Sequence, residues 1–133
     1  MISVALARKL RDGGLKWTPT SGDRFVVADR DMDDEVFTLS DMTVEMHEFP
    51  SGRVIGFNGT VEWALDSVEA RNSVWLPSEA QLRERLGNTF RQLTRRDDAW
   101  RVELDVSGRP ASVEHPDATE AYGLALLHLI TGD

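Results

Sequence analysis

Three stretches of this chain place apolar residues at helical spacing, and several others alternate with the period of a strand. The first helical stretch carries Ile2, Leu6 and Leu10 with Val4 and Ala7. Ser3 is its N-cap, and Gly13-Gly14 stops it just after Asp12. Leu15 and Trp17 then have the position to fold back onto its last turn. The second stretch opens on Ser78 with Gln81 three residues on, a capping box. It turns Leu82 and Leu86 inward and ends at Gly87. The third, from Asp117 to Thr131, is apolar over most of its circumference. Ala118, Ala121, Tyr122, Ala125, Leu126 and Leu129 make one broad face; Leu124, Leu127 and Ile130 make a second stripe on the other side, interrupted by Glu120 and His128. Asp117 caps it, with Glu120 at the capping-box position, and Gly132 ends it.

Between the helices the pattern is that of strands. Phe25 to Ala28 is short and continuously apolar. Glu35 to Leu39 alternates weakly and Met42 to Phe49 more clearly. Pro50-Ser51-Gly52 marks a turn and Val54 to Phe57 returns, so a hairpin centred on Ser51-Gly52 is expected. Thr60 to Leu65 reads as a short helix or as more sheet, and Val74-Trp75-Leu76 as an apolar anchor before Pro77. In the last third, Thr89 to Arg95 is a strand and Asp97-Asp98 a turn. Trp100, Val102, Leu104 and Val106 then alternate with Arg101, Glu103 and Asp105 as a half-buried strand. Ser107 to Pro110 turns the chain into a last strand over Ala111 to His115.

This order predicts a single α+β domain over residues 1–133, an antiparallel, meander-rich sheet covered by an N-terminal, a central and a C-terminal helix. One apolar face suffices for a helix lying on a sheet. The second stripe of the terminal helix therefore needs a cover of its own, from another layer or from a second copy of the chain. Leu124, Leu127, His128 and Ile130 are accordingly the candidate dimer interface.

Composition narrows the function classes. Cysteine is absent, which removes disulfides, thiolate catalysis and Cys-ligated zinc. No apolar run has the length of a membrane span and the N-terminus lacks the pattern of a secretory signal, so a cytoplasmic location is expected. The net charge of −8 argues against nucleic-acid and anionic-membrane partners. That charge is uneven. Residues 29–48 hold eight acids against Arg30 alone, and residues 83–101 hold six arginines against three acids. The plainer reading of such patches is two solvated faces of opposite sign; the alternative is that they steer a protein partner or a second copy into register. The basic stretch includes Trp100, but Trp100 alternates with Val102 and Leu104 and so belongs to the buried face, leaving no platform for base stacking.

Candidate chemistry is sparse. Asp29, Asp31 and Asp33 have the opening spacing of a calcium loop, yet Asp34 stands where that loop needs Gly and Ser40 where it needs a bidentate Glu. His47, His115 and His128 lack metal-ligand spacing, and no nucleophile elbow or phosphate loop is present. No metal or cofactor is therefore expected, and the motifs lean away from an enzyme. The most unusual segment is FNGTVEWALDS, residues 57–67. On a helix its Glu62 and Asp66 would share a face, an arrangement in which one carboxylate raises the pKa of the other. With Asn58, Trp63 and Trp75 these residues form the candidate pocket of the alternative reading, a small enzyme or small-molecule binder; the structural reading makes Asn58 a turn residue, Thr60 a cap and Trp63 core.

Three segments, SDMTVEMHEFPSGRVIGFNGTVEWALDSV (40–68), VWLPSEAQLRERLG (74–87) and ATEAYGLALLHLI (118–130), together resemble a family of small bacterial proteins, some of which carry the label of a CpaE-type pilus-assembly protein. The resemblance implies a fold shared within that family. It implies no catalytic residue, because CpaE-type proteins with an ATPase-like domain bear a phosphate loop and this chain has none. The function expected on all these grounds is a non-catalytic protein-interaction module that works as a homodimer.

Overall fold

The computed structural model describes residues 1–27, 36–39, 44–49, 52–57, 67–69 and 73–132. In chain order the elements are α1 (Val4–Asp12), β1 (Arg24–Val27), β2 (Phe37–Thr38), β3 (Val44–Phe49), β4 (Gly52–Phe57), β5 (Ser67–Glu69), β6 (Ser73–Leu76), α2 (Glu79–Leu86), β7 (Phe90–Arg96), β8 (Ala99–Val106), β9 (Arg109–His115) and α3 (Ala118–Thr131). The fold is α+β, and among the described residues every strand pair is antiparallel. The described strands lie in three three-stranded sheets, ordered β2-β1-β6, β3-β4-β5 and β7-β8-β9. Expected as one domain, the chain divides into two compact units. One is built from both ends of the sequence, Met1–Lys16 with Pro77–Asp133, and the other from Trp17–Leu76.

In the first unit α3 touches α1, α2, β8 and β9. Its inner face, Ala121, Tyr122, Ala125 and Leu126, is buried as the periodicity predicts. Burying a Leu or Tyr of this kind contributes roughly 1.5–3 kcal/mol. Gly123 is buried too, and its reason is α1. A methyl group at Gly123 would lie 2.6 Å from Leu6 Cδ2 and 3.2 Å from Ile2 Cδ1. A glycine inside a helix costs about 1 kcal/mol of propensity. Here that cost is offset by the burial of Ile2 and Leu6 against the bare backbone.

The two helices run parallel and in step. Ser3 meets Glu120 at their N-termini, Leu6 meets Gly123 half-way, and Gly13 sits against Leu127 and Thr131 at their C-termini. Parallel helices bring their positive dipole ends together, and Glu120 lies at that end of both. Asp117 caps α3 by accepting from the Glu120 N–H at 3.1 Å. The Glu120 carboxylate does not return to its own N-cap, as a closed capping box would have it. It accepts instead from the Ser3 backbone N–H and from the Ser3 hydroxyl, while the Ser3 oxygen accepts from Leu6 N–H at 3.2 Å. At the other end of α1, Leu15 folds back as expected, donating its N–H to the Leu10 carbonyl at 2.9 Å.

The short α2 has the full capping box between Ser78 and Gln81. It buries Leu82 and Leu86 and packs on α3, where the Arg83 guanidinium lies 5.9 Å from the Tyr122 ring centre. The sheet beneath α3 is amphipathic. Val102 and Leu104 of β8 are buried, with Leu93 and Val113 opposite Val102 on its two neighbours. A bulge at Arg91 lets Phe90 and Leu93 share the inner face despite their odd spacing, and brings the Phe90 ring to 5.6 Å from Tyr122. The β8–β9 turn is tighter than the four-residue turn expected. Ser107 and Gly108 both take positive φ, +53° and +85°, the signature of a two-residue hairpin turn matched to strand twist. Arg109 and Pro110 are thereby released into β9, an edge strand that tolerates proline.

In the second unit, β1 is central to its sheet, and Phe25, Val26 and Val27 are all buried, as a strand covered on both faces requires. Val74-Trp75-Leu76 proves to be the strand β6, paired with β1 so that Trp75 lies opposite Phe25. Trp17 belongs here and not on the first helix. Its ring stacks on Trp75 at 6.4 Å and leans on Phe25 at 5.5 Å, and its indole N–H donates to the buried Asp23 carboxylate at 2.9 Å. The expected hairpin is present as β3–β4, antiparallel strands in which Phe49 pairs with Gly52.

Gly123→Ala gains helix propensity but forces its new methyl into Leu6. Overpacking costs about 1–3 kcal/mol, so a net loss of roughly 1 kcal/mol is expected in denaturant titration; a raised midpoint would mean that α1 does not lie this close. Glu120→Ala removes acceptors from Ser3, and a loss of about 1.5 kcal/mol is expected, with Glu120→Gln between it and the wild type.

Candidate functional site

The second stripe of α3 forms one wall of an open cleft in the first unit, with a volume of about 830 Å³. Leu124, Leu127, His128 and Thr131 supply the α3 wall, and Ala111, Ser112 and Val113 of β9 the floor. Lys9, Asp12 and Gly13, from the last turn of α1, form the opposite rim. Helical spacing explains the α3 wall, since Leu124, Leu127, His128 and Thr131 follow one another at three or four residues or sit side by side. Gly13 lets the last turn of α1 lie close against α3: a methyl group there would stand 3.1 Å from Thr131 Cγ2 and 3.5 Å from Leu127 Cδ1.

Most of the cleft surface is apolar, and its polar residues are Lys9 and Asp12 on the rim, Ser112 on the floor, and His128 and Thr131 on the wall. The Thr131 hydroxyl donates to the Leu127 carbonyl at 2.7 Å. Asp12 accepts from Arg11 Nε at 3.2 Å while its side chain stays 69% exposed. Lys9 has no ion pair among the described residues. Beside the cleft runs β9, which among the described strands pairs only with β8.

Three of the four residues expected at a dimer interface, Leu124, Leu127 and His128, meet in this cleft. All are half-buried. Ile130 is half-buried as well but does not line it. The rest of the lining, Lys9, Asp12, Gly13 and the β9 residues, carried no signal of its own in the sequence beyond the helix stop at Gly13. It is assembled from both ends of the chain. Of the candidate pocket residues, Asn58, Glu62, Trp63 and Asp66 lie outside the described residues, as do the acidic loop 29–34 and the proposed cap Thr60. Trp75 is buried between Trp17 and its β1 neighbours.

A second, shallower depression of about 530 Å³ lies on the outer face of the β7–β9 sheet. Its polar groups are spent on one another. Gln92 and Thr94 both hydrogen-bond the Glu103 carboxylate, Arg101 Nη2 donates to Ser112 Oγ at 3.1 Å, and Arg91 stands 3.8 Å from Asp105. This is a cross-strand polar ladder on a solvated face. Trp100 is on the other face, half-buried, with the Arg95 guanidinium 5.1 Å from its ring centre. Among the described residues no three His, Asp or Glu side chains gather to hold a metal ion. No described helix is long and apolar enough to cross a membrane.

No family model, curated protein or solved structure matches the chain.

The Gln92 amide holds the Glu103 carboxyl below the usual carboxylate range; desolvation opposes it, and Thr94, Arg101 and Arg96 assist. A depressed folded-state value means that the contribution of Glu103 to stability is present above the ordinary glutamate pKa and is lost as pH falls through the folded one. NMR titration should find Glu103 below a free glutamate, and Gln92→Ala should move it upward.

Proposed function

We propose that this chain is a non-catalytic interaction module that works as a homodimer, with the cleft between α1, α3 and β9 as the contact face. The observation that carries the reading is the convergence of Leu124, Leu127 and His128 beside β9, which among the described strands pairs only with β8. An apolar wall and a strand edge are each unfavourable in water, and one partner covers both together. Symmetry favours a second copy, because two-fold dimers are the commonest assembly and use the same patch twice. The opposed charges of residues 29–48 and 83–101 fit the same picture, giving encounter a preferred orientation.

A binding pocket around Asn58, Glu62, Trp63, Asp66 and Trp75 receives less support. The one of these residues within the described chain, Trp75, is committed to the aromatic stack with Trp17, which favours its reading as core.

Sedimentation equilibrium at tens of micromolar should return a mass of twice 14.9 kDa. Leu124→Glu and Leu127→Glu should each give a folded monomer, since a carboxylate on the apolar wall cannot be desolvated without a partner. A wild-type monomer at that concentration overturns the proposal.

A further inference from the structure

Resting on that reading, the cleft rim also specifies how two copies would meet. Lys9 and Asp12 stand one turn apart on the same side of α1, both on the rim and both exposed. Lys9 lacks an ion pair among the described residues, and Asp12 has only the adjacent Arg11 as a salt-bridge partner there. In an isologous contact, residue i faces residue j of the other copy and j faces i. A rim carrying one cation and one anion at this spacing is therefore its own complement, whereas two like charges would repel. We infer that α1 lies antiparallel to its counterpart across the two-fold axis, with Lys9 of each copy opposite Asp12 of the other. This arrangement assigns α1 a role in partner choice that its packing on α3 does not explain: its inner side holds the unit together and its rim reads the second copy.

A charge exchange tests the pairing. Exposed ion pairs are individually weak, but each reversal places two like-charge contacts in one dimer, so Lys9→Asp and Asp12→Lys should each raise the dimer Kd about tenfold. The double variant restores opposite charges across the axis and should return to within about threefold of the wild type. Unfolding midpoints, measured alongside, separate loss of fold from loss of pairing. Should a reversal unfold the chain, the neutral variants Lys9→Gln and Asp12→Asn provide the same test through salt. The wild-type Kd rises with sodium chloride, and that dependence is reduced in the double neutral variant. A dimer whose Kd is unaffected by either reversal, or which the double exchange fails to rescue, overturns the α1 pairing while leaving the dimer itself standing. A wild-type monomer instead removes the reading beneath it.

Discussion

The first unit depends on the close parallel contact of α1 with α3. Its geometry is set at Gly123, where the absence of a side chain lets Ile2 and Leu6 reach the backbone of the neighbouring helix. Parallel packing of two helices is electrostatically awkward, because their like dipole ends lie together. Glu120 resolves the difficulty by lying at both N-termini and accepting from Ser3, 117 residues away in sequence. The same contact places the last turn of α1 beside Leu127 and Thr131. The cleft lies alongside that contact, between the last turn of α1, the Leu124 and Leu127 side of α3, and β9.

That arrangement also ties the ends of the chain together. α1 is separated from the rest of its unit by the whole of residues 17–76, which form a compact unit of their own. The loop-closure entropy of bringing α1 home is borne by contacts made at the far end of the sequence. The cleft is thus composite, because its α1 rim and its α3 wall come from opposite sides of that intervening unit.

The remaining surface features are accounted for by local satisfaction. The outer face of β7–β9 carries many charged and polar groups, yet Gln92, Thr94, Glu103, Arg101 and Ser112 pair across the strands and present a solvated ladder. Trp100 and Arg95 cover each other on the inner side. In the second unit the indole of Trp17 finds its acceptor in Asp23, and the Trp17, Trp75 and Phe25 rings form a packed cluster. The cleft differs from these because its apolar wall is only half-covered.

Whatever rests on near neighbours in the chain was readable from residues alone. Caps at Ser3, Ser78 and Asp117 declare themselves because a side-chain oxygen need reach only two or three residues ahead. Alternation in β8 and the buried face of α3 follow from fixed backbone periods. The partly covered second stripe, too, was visible as an excess of apolar positions. Other features were decided by contacts distant in sequence. Val74-Trp75-Leu76 is a strand because β1 lies beside it, and Trp17 leaves the first helix because Trp75 and Asp23 offer a better site. Glu120 passes over its own N-cap because Ser3 is within reach, and Gly123 is tolerated because α1 needs the room. A sequence by itself determines which surfaces must be buried and how each segment prefers to turn. Only the tertiary structure decides which surface buries which, because that choice depends on distances between residues that the chain brings together last.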